Sequence, residues 1–506
     1  MKFLKSIFSR WVIISLLILI QITMFCLVLF IASTEYVYVS LICEVLSAVV
    51  LLHLIFHDGN PNHKIPWIIV LLLFPPAGLL IYLIFGRRYI SKKQARLYQS
   101  VHDKQNDYLK QDEKIQNEID EKYKTQSKYI YNSSSSPIYN NTKVDYLNDG
   151  KIYFERLFED IKRAKKFIFL EYFIFGEGKL LDELLEVLHT KSKEGLDVRV
   201  IYDDIGSIKV LPHNFDKKLQ DMKIKCVKFN KYAPIVSVVY NNRDHRKIAV
   251  IDGNIAYTGG VNVADEYVNY IEKFGYWKDN GVRIEGEGVK NFTMMFLKTY
   301  DIFSQTKTNY QNYLPDKTHI KCNGYVQCFG DGPAPIYENY VGENVYLNII
   351  NQATKYVYIT TPYLIVDYTL MTALETAAKR GVDVRIITPG IPDKKMVYLL
   401  TRDSYRSLIK AGVKIYEYEK GFIHSKTVIA DDEVAVVGTI NFDYRSLVHH
   451  FECGCYMVKT DCLKDIRQDF LNIQKESKVP NKKVYRSKRL IKRLFISLLK
   501  FFAPLF

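Results

Sequence analysis

The chain has 506 residues, 48% apolar and 25% charged, and its Lys and Arg exceed its Asp and Glu by 15. That apolar share supports sizeable cores in two or three domains and excludes a disordered chain. Eight scattered cysteines, with Cys322/Cys328 and Cys453/Cys455 the only close pairs and no histidine at ligand spacing, exclude a zinc finger and a disulfide scaffold.

Taken from the N-terminus, 11–32 is a nearly unbroken apolar run long enough to span a bilayer. A second run covers 36–56, and a third, 66–85, is broken by Pro75, Pro76 and Gly78. The first run is too long for a signal-peptide core and is followed at once by more apolar sequence. Basic windows at 1–10 and 86–96 flank the runs, and both favour the cytoplasmic side. Three full spans would separate those windows. Two spans plus a Pro-Pro re-entrant hairpin, or a run lying at the interface, keeps them together.

Residues 97–130 are polar, of helical composition and without a strong apolar stripe, and SSSSP at 133–137 reads as a linker. The expected organisation is a membrane-anchoring region at 1–86 and a charged spacer at 87–145. Two α/β domains follow at 146–315 and 316–481, then a basic tail at 482–506.

The two domains are read from an internal repeat. KFIFLEYFIF at 166 resembles KYVYITTPYLIV at 355, and GLDVRVI at 195 resembles GVDVRII at 381. KIKCVKF at 223 resembles VKIYEYE at 413. Each copy alternates strands with amphipathic helices, as expected for mixed sheets flanked by helices. In the tail, Leu490, Ile491, Leu494, Phe495, Leu498 and Phe502 follow a helical period among Lys and Arg, which reads as an amphipathic helix on a membrane. The windows 1–10, 86–96 and 482–506 hold 16 basic residues and no acid, so the remaining body is near neutral. Basic charge placed beside apolar segments fits an anionic membrane surface and argues against a nucleic-acid groove.

Within the repeat, one phrase recurs without a gap. HRKIAVIDGNIAYTGGVN begins at 245 and HSKTVIADDEVAVVGTIN at 424. His245, Lys247, Asp252, Gly259 and Asn262 match His424, Lys426, Asp431, Gly438 and Asn441. The apolar spacers read as buried strands, on which residues two apart share a face, so each His and Lys point the same way. An imidazole can attack or exchange a proton, while a lysine and an amide can hold phosphoryl oxygens. In-line displacement on a phosphodiester uses two imidazoles, and the duplication supplies the second.

The paired motif resembles the phospholipase D superfamily, and LEYFIF, FGYWKD, TTPYLIVD and NFDYRSL make the chain more similar to the bacterial cardiolipin synthases. The resemblance implies two pseudo-symmetric phospholipase D-like domains behind an α-helical membrane region. It places the protein in the bacterial cell membrane, multi-pass, with the catalytic domain cytoplasmic. It implies a phosphatidyltransferase that converts two phosphatidylglycerols into cardiolipin and glycerol through a phosphohistidine, with no cofactor or metal and no nucleic acid. A hydrolase or another phosphatidyltransferase would use the same residues. His245, Lys247, Asp252, His424, Lys426 and Asp431 form the catalytic motif set, with His245 as the superfamily's usual nucleophile, although the near-symmetric motifs do not separate the two histidines' roles. Asp252 and Asp431 read as braces of the motif loops. Asn262, Asn441, Gly260 and Thr439 are the expected phosphate ligands, Gly260 through its backbone N–H because the superfamily's usual serine is absent there. Glu452, and Asp279 in the first half, are the expected acids that orient the histidines. Arg445, Ser446, Asp203 and Asp204 are further pocket candidates.

Overall fold

The structure, a computed structural model, describes residues 19–20, 22–24, 27–28, 30–31, 37–57, 61–86, 90, 92–231, 242–316, 320–337, 339–481 and 490–503. Most of the first apolar run and residues 482–489 of the tail lie outside them. The chain divides into two compact units, one formed by 1–90, 231–241 and 497–506 and the other by 91–230 and 242–496.

In the smaller unit, Val37–Phe56 is, among the described residues, the one helix long and apolar enough to cross a membrane, by length and composition. The third apolar run is two helices, Pro61–Leu73 of 13 residues and Pro75–Phe85 of 11, each shorter than the roughly 20 residues a span requires. They break at Phe74, where Pro75 lacks the N–H that would continue the helix. Gly78 lets the second helix lie against the backbone of Val70, and Trp67 packs edge-on to Tyr82. Ser47 donates to the carbonyl of Pro75 at 2.9 Å.

The larger unit carries the repeat. Its first half supplies β1 (Thr142–Leu147), β2 (Phe167–Tyr172), β3 (Asp197–Asp203), β4 (Lys225–Phe229), β5 (Lys247–Ile251), β6 (Ile255–Gly259), β7 (Tyr276–Lys278) and β8 (Gly281–Gly286). The second half continues with β9 (Tyr325–Asp331), β10 (Tyr356–Thr360), β11 (Leu364–Ile365), β12 (Asp383–Pro389), β13 (Lys414–Tyr418) and β14 (Gly421–Ile423). Then come β15 (Thr427–Ala430), β16 (Val434–Gly438), β17 (Phe442–Asp443), β18 (Glu452–Val458) and β19 (Ser477–Lys478). One sheet runs β1-β8-β6-β5-β2-β3-β4 and the other β9-β18-β16-β15-β10-β12-β13-β19. Strand for strand, the second order repeats the first, with β19 added at its edge.

The parallel members of each sheet are the three joined by helical crossovers. The motif strands β5 and β15 enter antiparallel beside β2 and β10 and fold straight back as β6 and β16. This explains their largely apolar composition: every residue of β5, β15 and β16 is buried, Lys247 and Thr427 at the strand starts included. The motif glycines face glycines across the next ladder, Gly259 opposite Gly281 and Gly438 opposite Gly454. A Cβ at Gly259 or Gly438 would collide with the neighbouring strand's backbone. The halves meet along these strands: Thr258 Oγ1 lies 3.4 Å from Cys453 Sγ, and the Asn280 amide donates to Thr427 at 2.7 Å.

The spacer expected at 87–145 is not one. Helices Lys92–Gln105 and Glu121–Ser134 pack into the catalytic unit, burying Tyr98, Val101, Tyr123 and Ile130, and β1 begins inside the expected spacer. The Gln105 amide donates to Met294 O, and the Gln327 amide donates to Ser127 O at 3.1 Å and to Ser136 O at 2.7 Å, so SSSSP is held by side chains of the body. Sparse, aromatic-rich apolar positions among many Lys and Gln hid this contact from periodicity. The tail helix, Leu490–Phe502, forms as expected, with Leu490, Ile491, Leu494, Phe495 and Leu498 exposed.

Ile130 is fully buried in a segment that reads as a spacer. Ile130→Ala should therefore cost about 2–4 kcal/mol and lower the thermal midpoint of the purified protein by several degrees. An unchanged melting curve would mean that the helix adds nothing to the fold.

Candidate functional site

β5 pairs with β2 so that Lys247 lies opposite Tyr172, and β15 pairs with β10 so that Thr427 lies opposite Thr360. This puts His245 and His424 just beyond the C-terminal edge of the parallel strands, each immediately ahead of its buried motif strand. The backbone N–H of His245 donates to Phe451 O at 2.9 Å, and that of His424 donates to Lys278 O at 2.7 Å. Each motif histidine is thus pinned by the other half. Side chains cross the same way. His245 Nδ1 lies 2.9 and 3.0 Å from the two Glu452 oxygens, and His424 Nδ1 lies 2.7 Å from Asp279 Oδ2. The acids are those expected, but Asp279 serves the histidine of the second half and Glu452 that of the first.

Both lysines lie on the histidine face. Lys247 Nζ donates to His245 O at 2.6 Å, and Lys426 Nζ donates to His424 O. All four side chains are buried, and burial dominates their protonation. It pulls Lys247 down to about 8 and Lys426 to about 7. It pulls His424 down to about 4, helped by Lys426 and opposed by Asp279. His245 is held well below its ordinary value by burial, then by Lys247, His450, Lys426 and His424, so charges of both halves converge on it. The acids differ. Burial pushes Glu452 up to about 8 against the pull of Lys247. Burial also acts to raise Asp279, but His424 and Lys426 outweigh it and hold that carboxyl below its ordinary value. Two imidazoles and two ammonium groups, facing one buried point with two carboxylates turned toward the imidazoles' far nitrogens, are suited to an anion such as a phosphodiester.

Comparison with known proteins identifies the family. A family profile described as the cardiolipin synthase, PLD-like domain matches 157–287 and 346–474, which together make up half the chain. The chain belongs to the phospholipase D-like cardiolipin synthase family. A second profile, the phospholipase D-nuclease N-terminal region, matches 45–87. The chain is 34% identical to a cardiolipin synthase of Geobacillus sp., over 88% of its own length and 90% of that protein's. It is 33% identical to cardiolipin synthase 1 of Staphylococcus epidermidis, over 92% and 97%. Among solved structures, the fold matches phosphatidylserine synthase of Haemophilus influenzae with a TM-score of 0.58 and 17% identity, covering 77% of this chain and all of that one.

Not every residue expected to bind phosphate in this cardiolipin synthase family member is free to do so. The Gly260 N–H donates to Asn280 O and the Thr439 N–H to Cys453 O, so neither backbone group points at a ligand. The Thr439 hydroxyl donates to Glu452. At 260 a Cβ would collide with the Asp279 carboxylate, so the missing side chain makes room for the shorter acid to reach His424. Asn262 donates to the Tyr267 hydroxyl at 2.8 Å and accepts from Ile174 N at 3.1 Å. Asn441 is buried beside Asp443, its carbonyl oxygen without a partner.

Asp252 and Asp431 stand away from the site. Each has a left-handed backbone at a strand-turn and accepts N–H groups at the start of the neighbouring parallel strand: Lys165, Lys166 and Phe167 for Asp252, and Thr354, Lys355 and Tyr356 for Asp431. They brace the motif loops and do not touch its chemistry. Asp203 is also a brace, paired with Arg243 at 2.6 Å and accepting the N–H groups of Gly206 and Asp244. Arg445 is exposed, and Ser446 is buried next to Asp443.

Two features escaped the sequence reading. His450 packs on His245 with ring centroids 5.6 Å apart, and Trp277 packs on His424 at 5.3 Å. Each stands two residues before an orienting acid, so their offset from Glu452 and Asp279 was the available signal. His245, His450 and Glu452 are also, among the described residues, the one group whose donor atoms lie close enough together to hold a metal. The second feature lies behind β5. Arg246 turns away from His245 and Lys247 to pair with Glu171 and Asp244, both at 2.8 Å, and to donate to Thr299. The equivalent positions of the second half hold Ser425 and Thr360, joined by a hydrogen bond of 3.1 Å.

Anion binding should restore the protons that burial removes. Lys426 at about 7 and Lys247 at about 8 lose charge as pH rises, so tungstate affinity should fall by about threefold or more between pH 7 and pH 9. Calorimetry in buffers of different ionisation enthalpy should record net proton uptake on binding; a pH-independent affinity with no proton uptake would contradict this charge assignment.

Proposed function

We propose that the chain is a membrane-anchored cardiolipin synthase that transfers a phosphatidyl group from one phosphatidylglycerol to the free hydroxyl of another. The observation that carries this reading is the crossed pair of acid–imidazole contacts, which aims two histidines at one buried cationic point in a chain of this family.

In the first step, His245 Nε2 attacks the phosphorus. The bond from phosphorus to the headgroup oxygen breaks, and His424 gives its Nε2 proton to the departing glycerol. In the second step, a hydroxyl of another phosphatidylglycerol loses its proton to His424 as its oxygen attacks. The phosphorus–nitrogen bond breaks, leaving cardiolipin and a neutral His245. Lys247 and Lys426 hold the nonbridging oxygens. The difference between the acids supports this division of labour. Asp279, held anionic, favours an imidazolium at His424 once the phosphodiester charge has arrived. Glu452, pushed up by burial, leaves His245 neutral and nucleophilic. Asn262 and Asn441 stand beside the site, and the open Oδ1 of Asn441 can accept from a substrate hydroxyl but not hold a phosphoryl oxygen.

In this reading the chemistry lies at the cytoplasmic face of the bacterial membrane, the side that the basic windows beside the apolar runs favour. Val37–Phe56 serves as a span and the Pro61–Phe85 helical pair as a hairpin too short to cross.

Incubating the purified protein with phosphatidylglycerol alone should yield cardiolipin and glycerol, and His245→Ala or His424→Ala should lower the rate by roughly 10³-fold or more. Phosphatidic acid as the main product would make the enzyme a hydrolase. With lipid labelled at phosphorus, His424→Ala should accumulate an acid-labile, base-stable label that peptide mapping places on His245. A label on another residue, or the same label in His245→Ala, would overturn the nucleophile assignment.

A further inference from the structure

Outside the tail helix and Leu97 of the helix Lys92–Gln105, the exposed large apolar side chains of the catalytic unit gather mainly on one side, Val479 on the strand leaving the site edge being the exception. The C-terminal ends of β2, β3, β10 and β12 and the returning ends of β6 and β16 all lie at the edge that carries His245 and His424. Ile152, Val210, Ile271, Tyr368, Ile391 and Met396 are 39–79% exposed, and each sits in a loop or first helical turn at that edge. Val210 follows β3, Ile271 follows β6, Tyr368 follows β11, and Ile391 and Met396 follow β12. Ile152 opens the helix after β1, whose last residue, Leu147, pairs with Gly281 beside the motif glycine.

Turns at the opposite edge include 252–254, 286–288, 353–355, 380–382, 411–413 and 431–433. Among the described residues, none of their side chains is a large exposed apolar group. Five separate chain segments from both halves therefore expose apolar groups at the site edge, while these far-edge turns expose none. The groups also lie close to the chemistry. Ile391 Cδ1 lies against Gly275, two residues before Trp277, whose ring covers His424. Tyr363, which hydrogen-bonds to Asp393 in the same loop, packs through Phe422 toward that histidine.

We infer that these six side chains form a docking rim that inserts into the interfacial layer of the bilayer around the mouth of the site. This rests on the proposed function. A diacyl substrate must bring its phosphodiester to two buried imidazoles while its chains stay in hydrocarbon, so the mouth must meet the membrane face-on. Exposed aliphatic groups and an aromatic, spread over several loops and flanked by lysines such as Lys394 and Lys395, suit the boundary between headgroups and acyl chains. The rim holds the catalytic unit with its site facing lipid.

The test does not depend on turnover. The full chain, reconstituted in phosphatidylglycerol-containing vesicles, would carry an environment-sensitive fluorophore at Ile271→Cys, Tyr368→Cys or Met396→Cys. Lys355→Cys and Lys410→Cys would mark the far side, and the unsubstituted protein would give the background from native thiols. Lipids bearing a nitroxide near the headgroup should quench the three rim labels at least twofold more than the far-side labels. Equal quenching at both edges would overturn the inference. A rim label that is shielded from water yet not quenched by lipid would also overturn it, by pointing to a second copy or another protein as the occupant. Cardiolipin formation measured on the same vesicles reports separately on the proposed function: quenching without product leaves the rim standing, and product without quenching removes it.

Discussion

Each half of the catalytic unit holds the acid that the other half's histidine needs, and the rest of the site depends on this exchange. Glu452 starts β18 in the second sheet and meets His245 in the first, while Asp279 precedes β8 in the first and meets His424 in the second. The histidine backbones obey the same rule through Phe451 and Lys278. Proximity between the two imidazoles is therefore a product of domain packing and not of either strand alone. The glycine pairs 259/281 and 438/454 let β6 and β8, and β16 and β18, approach closely within each sheet beside the exchange.

Burial then sets the chemistry. With water excluded, two lysines and two imidazoles cannot all keep their protons, and each is displaced toward its neutral form. An anionic ligand would let these groups keep their protons, so the site's positive charge is coupled to binding. The site's asymmetry is small in atoms, a Glu with a threonine hydroxyl against an Asp seated over a glycine. It is enough to leave one carboxyl pushed up and the other held down.

Much of this was legible in the sequence because the repeat is long and its spacing invariant. The two motif copies, their strand character and the α/β halves follow from positions that a single sequence presents openly, and both acids from the superfamily resemblance that the motif carries. The crossing of the acids does not, since it depends on which strands of the two sheets abut, and no local pattern encodes that. The hydroxyl of Thr439 and the backbone of Gly260 looked like ligands because their register beside the motif is right. They are spent inside the protein because the strand turns at that point. The segment 92–134 failed for a different reason. Its buried positions are tyrosines, glutamines and single aliphatics, which periodicity does not separate from a solvated helix, and its partners lie almost two hundred residues away.

The back layer of the motif strands bears on how the two halves can change over time. Behind β5, Arg246 is tied to Glu171 and Asp244, whereas behind β15 the same places hold Ser425 and Thr360. Loss of one member of the buried ion group strands a charge in a medium that cannot solvate it, while loss of one small hydroxyl leaves only a modest gap. In the first half, then, an acceptable substitution requires simultaneous change at contacting positions. The second half can drift one residue at a time. The duplication that made the two halves alike has left them with unequal freedom to diverge.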